Sequence, residues 1–137
     1  MSLTAACSKD TNFIKVSQGV RKFNTRFNAG QFHEIYADAA PELRASVSEE
    51  DFVGKLESLR REHGKVRESS MNGFEEMSRW QRYFPNSKPR RFIGLYNRCE
   101  NGGFQEFFDW DVRGGEPKLL KFETGNIVTT PPPQMDQ

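Results

Sequence analysis

Apolar residues recur in steps of three and four between Thr11 and Asn28, at Phe13, Val16, Val20, Phe23 and Phe27. That spacing lines one side of a helix and predicts an amphipathic helix over 11–28. Asp10 or Thr11 is placed to cap its start, and Asn28, Ala29 and Gly30 to stop it. Phe32, Ile35 and Tyr36 share one side of a short second helix. Pro41 is expected to end that helix, because proline lacks the amide a helix interior needs. A third helix is predicted at 49–63. Ser48 and Asp51 form a capping box, and Val47 and Phe52 hold the positions of a hydrophobic staple. Acidic residues fill its first turn and Arg60, Arg61 and His63 its last, as the helix dipole favours, with His63 capping the end. Phe52, Leu56 and Leu59 make its buried stripe, and Gly64 is the expected glycine after its last turn.

After Gly64 the period changes to two. Residues 65–77 read as a strand, 78–84 alternate weakly, and 85–89 form a loop. Residues 90–100 form a strand with Phe92, Gly94 and Tyr96 on one face and Ile93, Leu95 and Cys99 on the other. Asn101-Gly102-Gly103 signals a hairpin turn. The strand that follows, 104–112, points Phe104, Phe108, Trp110 and Val112 one way. Residues 113–117 turn the chain, and 118–128 make the last strand. Helices first and an antiparallel meander second imply an α+β domain: three N-terminal helices on one face of a curved antiparallel sheet of about four to five strands. The domain is bounded at 11–128, between a disordered segment 1–10 and a Pro-rich disordered tail 129–137.

The chain has 137 residues, enough for one domain with its own core. Twelve Phe argue against a disordered chain. A formal net charge of +1 gives no global attraction to nucleic acid or to an anionic membrane. No apolar run approaches the ~20 residues of a membrane-spanning helix.

The stretch 27–69, FNAGQFHEIYADAAPELRASVSEEDFVGKLESLRREHGKVRES, resembles the nuclear transport factor 2-like (cystatin-like) superfamily, and more closely its small exported bacterial domains of unknown function. The second helix that begins after a glycine, and the third helix with its glycine-terminated passage into the first strand, carry the resemblance. It implies a conical cavity between the curved sheet and the first helix. Twelve Phe are enough to fill that cavity partly or wholly. The superfamily hosts enzymes, binding modules and assembly domains, so the resemblance transfers no activity.

Enzymes of that superfamily set a carboxylate or a His–Asp pair in the cavity with a Tyr beside it. The cavity candidates here are Tyr36, Asp38, Tyr96 and Asp109. His33 and Asp111 offer the same chemistry, and solvated polar positions account for the whole set more simply. Asp109 and Asp111 lie on the strand face opposite Phe108 and Trp110, which points both outward. No catalytic residue is assigned. Two isolated histidines and two distant cysteines make no zinc pattern, and no glycine-rich loop cradles a phosphate, so no metal and no cofactor is assigned. Cys99, inside an apolar strand, reads as a small buried hydrophobe. The basic and aromatic residues Arg79, Trp80, Arg82, Tyr83, Arg90 and Arg91 form a candidate interaction patch. Cations interleaved with stacking rings suit single-stranded nucleic acid, but a solvated basic rim fits the balanced net charge better.

Residues 3–10, LTAACSKD, place small residues before Cys7 and polar ones after it. Six residues are too few for a complete signal peptide. The segment reads as a truncated lipoprotein signal with Cys7 as the lipid anchor, although Thr4 stands where an aliphatic residue is preferred. The resulting expectation is a non-enzymatic binding or assembly domain in the bacterial cell envelope, periplasmic or lipid-tethered. Its partner would be a protein or a small molecule, and it would form a homodimer through the open face of the sheet. The alternatives are a small-molecule binder or an isomerase- or hydrolase-type enzyme using the cavity, a basic-aromatic nucleic-acid binder, and a cytoplasmic location.

Overall fold

A computed structural model describes residues 3–75 and 91–125, with side chains for 13–71 and 92–125. Four helices precede four strands: α1 Leu3–Ala29, α2 Phe32–Ala37, α3 Pro41–Ser46, α4 Glu49–His63, β1 Val66–Glu75, β2 Arg91–Cys99, β3 Gly103–Asp111 and β4 Lys118–Gly125. The strands form one antiparallel sheet in chain order, β1-β2-β3-β4. The α+β class and the meander are as the periodicity predicts.

The cap signals place α4 where they stand in the sequence. Ser48 Oγ accepts from the Asp51 amide at 3.1 Å, and Gly64 leaves the helix at φ +79°. Gly30, at φ +76°, ends α1, and the Gln31 amide reaches back to Arg26 O at 2.8 Å. Two boundaries differ. α1 starts at Leu3 rather than Thr11, so residues 3–10 are helical and not a disordered segment. Nothing in LTAACSKD breaks a helix, and Ala5 and Ala6 favour one. Pro41 does not merely stop α2. It is the first residue of a fourth helix, α3, where its missing amide costs nothing and its fixed φ suits the first turn. The weak strand at 78–84 and the tail at 129–137 lie outside the described residues.

α1 packs on the sheet and gives the core one stripe of side chains. Val16, Val20, Phe23 and Phe27 are buried, as the three-four spacing requires. Phe23 meets Phe108 edge-on at 5.0 Å and Phe122 at 5.0 Å, while Phe27 lies 6.3 Å from Phe104. α4 adds Phe52, Val53 and Leu56, with Phe52 reaching Phe122 at 6.5 Å. Each such aromatic ring buries a large apolar area, and edge-on or offset contacts add to that gain. His63 is buried with its ring 5.1 Å from Phe104, so it packs in the core as well as ending α4.

Register shifts in β1 at Val66/Glu68 and Met71/Gly73, and between β3 and β4 at Asp109/Trp110, interrupt the regular pairing of the sheet. Two polar ties fix the helices to it. The Asn28 side chain donates to Val66 O at 3.0 Å and accepts from the Val66 amide at 2.8 Å, joining the end of α1 to the start of β1. The Ala40 amide donates to Leu119 O at 2.9 Å, joining the α2–α3 corner to β4.

Candidate functional site

Alternation along β2 and β3 places every second side chain under the helices. On β2 these are Ile93, Leu95, Asn97 and Cys99, and on β3 Phe104, Glu106, Phe108 and Trp110, all buried. Two members of this apolar face are polar. Leu95 pairs with Glu106 across the strands and Asn97 with Phe104, so Asn97 and Glu106 are diagonal neighbours on one face.

They belong to a line of polar groups. Asn24 of α1 donates to Ser69 Oγ at 3.1 Å, and Ser69 donates to Asn97 Oδ1 at 2.6 Å. The Asn97 amide faces Glu106 and favours its ionised form, but neither carboxyl oxygen makes a well-formed hydrogen bond among the described residues. Glu106 has no solvent exposure. Burial pushes its carboxyl up from the ordinary 4.5 to about 8, because removing a charge from water disfavours the ionised state. At neutral pH Glu106 is therefore mostly a neutral acid, able to donate a hydrogen bond.

The outer end of this line opens on a groove. α1 and β1 leave a channel of about 420 Å³ between them. Phe13 and Val20 from α1, and Met71, Ile93 and Leu95 from the sheet, give it apolar walls. Asn24 and Ser69 are the polar groups at the point where the line meets the channel. Asn24 Oδ1 is buried there with no hydrogen-bond partner among the described residues. Met71, half exposed although it sits on the inner face of β1, marks where α1 ceases to cover the sheet.

The four cavity candidates do not converge. Tyr36 donates to Val47 O at 2.7 Å and Arg44 O at 3.0 Å, bracing the chain between α3 and α4, and its ring packs on Phe52 at 5.6 Å. Asp38, at the end of α2, meets Arg26 at 3.1 Å, Lys118 at 3.1 Å and Lys22 at 3.4 Å. Tyr96 is exposed on the face of β2 away from the helices. Asp109 lies on that same outer face but is buried, contrary to the expectation of a solvated carboxylate. It sits on an inner strand between Phe92 and Lys121, so neighbours hem it on both sides. Asp111 pairs with Arg113. His33 faces solvent and bonds Glu49 at 2.9 Å, which raises its pKa.

Of the interaction patch, Arg79, Trp80, Arg82, Tyr83 and Arg90 lie outside the described residues. Arg91 opens β2, and only its backbone is described. Cys7 falls within α1, and its side chain is likewise outside the description. Cys99 is buried, and its thiol is pushed up to about 11, first by burial and then by the carboxyl groups of Glu106 and Glu100. A thiol so far from ionisation is a poor nucleophile. Among the described residues no three His, Cys, Asp or Glu side chains gather to hold a metal ion, and no helix is long and apolar enough to cross a membrane.

The apolar pattern does not reveal Asn97 and Glu106, because a search for hydrophobic positions passes over polar ones. Parity does reveal them: Glu106 stands midway between Phe104 and Phe108, and Asn97 midway between Leu95 and Cys99. Comparison with protein-family models, with curated proteins and with solved structures finds no match to this chain.

Proposed function

We propose that this chain is a non-enzymatic binding domain, of the nuclear transport factor 2-like kind, whose α1–β1 groove holds a small amphipathic molecule. The groove itself carries the reading: an apolar floor beside polar and charged residues of α1 and β1, among them Arg21, Arg67 and Glu68, gives a small amphipathic molecule both affinity and orientation. The unsatisfied Asn24 Oδ1 adds a chemical requirement. A buried acceptor without a partner costs about 1–3 kcal/mol, so the favoured ligand brings a donor, a hydroxyl or an amide N–H, on an apolar body. A place in the bacterial cell envelope, with Cys7 as tether, belongs to the same proposal and rests on residues 3–10.

The test is titration with 1-naphthol, followed by its fluorescence, beside 1-methoxynaphthalene, which keeps the rings and lacks the donor. Saturable binding of the naphthol, weaker binding of the ether, and loss of both in Ser17→Trp, which fills the channel from α1, support the proposal. Equal binding of both probes, or binding indifferent to Ser17→Trp, overturns it.

One observation favours a second reading, catalysis drawing on Glu106, which lies at the inner end of the polar line and does not itself line the groove. A carboxyl raised to about 8 sits near the value at which a general acid works at neutral pH. That reading requires turnover of a groove ligand that Glu106→Gln abolishes while binding persists.

A further inference from the structure

A second cleft lies on a different side of α1, between that helix, the end of α2 and the β3–β4 connection, with a volume of about 130 Å³. That is about ten times the space a single water requires, which suits a small organic molecule. Its apolar walls are Phe23, Trp110, Pro117 and Leu119. The indole closes against α1 only because residue 19 is glycine. A Cβ there would stand 2.9 Å from two carbons of the Trp110 ring and 3.2 Å from Pro117. The cleft therefore has a flat aromatic wall held in a fixed place.

Its polar side is a charge cluster. Asp38 takes Arg26, Lys118 and Lys22 at 3.1, 3.1 and 3.4 Å. Burial alone would raise its carboxyl, but hydrogen bonds from Lys118 and Arg26 outweigh that and hold it at about 2. Asp38 is thus ionised at neutral pH. Lys22 and Arg26 line the cleft with Asp38 and Glu116, and Lys118 offsets Asp38 from outside the lining, so cluster and lining together carry a surplus of one positive charge. The cations also have donors to spare. Each ammonium carries three N–H groups, and Lys22 and Lys118 each direct one at Asp38. Lys22 is half exposed, so its remaining donors are accessible.

We infer that this cleft binds a small monocarboxylate with a flat apolar body, the ring against Trp110 and the carboxylate between Lys22 and Arg26. The charge surplus selects one negative charge, the volume limits the size, and the indole favours a planar body. The site is independent of the α1–β1 groove, because it uses Gln18, Gly19, Lys22 and Arg26 of α1 where the groove uses Ser17, Val20, Arg21 and Asn24.

The experiment is a ¹H–¹⁵N titration of the whole chain with benzoate, beside benzamide as the neutral compound of the same shape. Expected are saturable shifts with benzoate at the Gly19 and Gly115 amides and at the Trp110 indole N–H, and clearly weaker shifts with benzamide. Lys22→Glu weakens benzoate binding by about fivefold or more. Asp38→Asn strengthens it, because the internal carboxylate no longer competes for the cations. A merely structural Asp38 would give the opposite sign. Absence of saturable shifts at these three positions, equal response to benzamide, or weaker binding in a folded Asp38→Asn variant overturns the inference.

Discussion

Replacing Glu106 by Gln removes a titrating group from the core while keeping its shape. In the folded chain the carboxyl is raised by burial from 4.5 to about 8. Below about pH 4.5 it is protonated in both folded and unfolded chains and contributes no pH dependence. Between about 4.5 and about 8 the unfolded chain releases this proton and the folded chain keeps it. The folded state then binds more protons, so stability falls as pH rises. The two values lie about 3.5 pH units apart, and each unit is about 1.4 kcal/mol. The full loss is therefore on the order of 5 kcal/mol by about pH 8, with little further change above it. A domain of this size has about 5–15 kcal/mol in total, so the effect is large enough to move the unfolding midpoint substantially. The assay is urea unfolding of wild type and Glu106→Gln at steps from about pH 5 to about pH 9. The difference between them isolates Glu106, because the thiol coupled to it, Cys99, stays protonated over most of that range. The variant is expected to gain on wild type steadily with pH, by up to about 1.4 kcal/mol per unit. A difference that stays flat across that range refutes the reasoning and would mean that Glu106 is ionised and compensated in the folded chain.

Three further outcomes follow from the geometry. Gly19→Ala, which on an exposed helix face would gain about 1 kcal/mol, is expected to lose about 1–3 kcal/mol by overpacking Trp110, with a change in near-ultraviolet circular dichroism. Asn28→Ala removes both side-chain bonds to Val66 and is expected to cost about 1–3 kcal/mol, with faster hydrogen exchange at the Val66 amide. Asp38 has a lowered carboxyl, so its contribution is present above the ordinary 3.8 and is lost as pH falls through about 2. Wild type should therefore lose ground to Asp38→Asn in acid unfolding over that range, and parallel curves would contradict the ion cluster.

Local signals made parts of this fold legible. α4 is bounded where the sequence says because Ser48 and Gly64 act within one turn of themselves. The buried faces of β2 and β3 follow from parity alone. α1 begins earlier than its apolar stripe because a helix continues through any segment that does not oppose it. Pro41 is ambiguous in principle, since the same missing amide forbids a helix interior and suits a helix start. The candidate sites were harder to read. Glu106 lies on a face that the apolar pattern identifies, yet its own polarity hides it from that pattern. The cations around Asp38 come from α1 and from Lys118, which is 80 residues away from Asp38, and no periodicity joins them. Tyr36 and Asp38 are two residues apart, yet they serve different ends of the α2 region, one bracing a loop and the other facing the second cleft.

The clamp between Asn28 and Val66 has a consequence for how the chain behaves among copies of itself. Among the described residues β1 has one strand neighbour, β2, so its other side is a sheet edge. An edge presents backbone donors and acceptors in the pattern that an incoming strand would match. At Val66 both of those groups are occupied by a side-chain amide of the same spacing and polarity as a backbone peptide. Asn28 thus acts as a one-residue substitute for a fifth strand. It denies an intruding strand its first foothold, and so discourages growth of the sheet into an aggregate from that end.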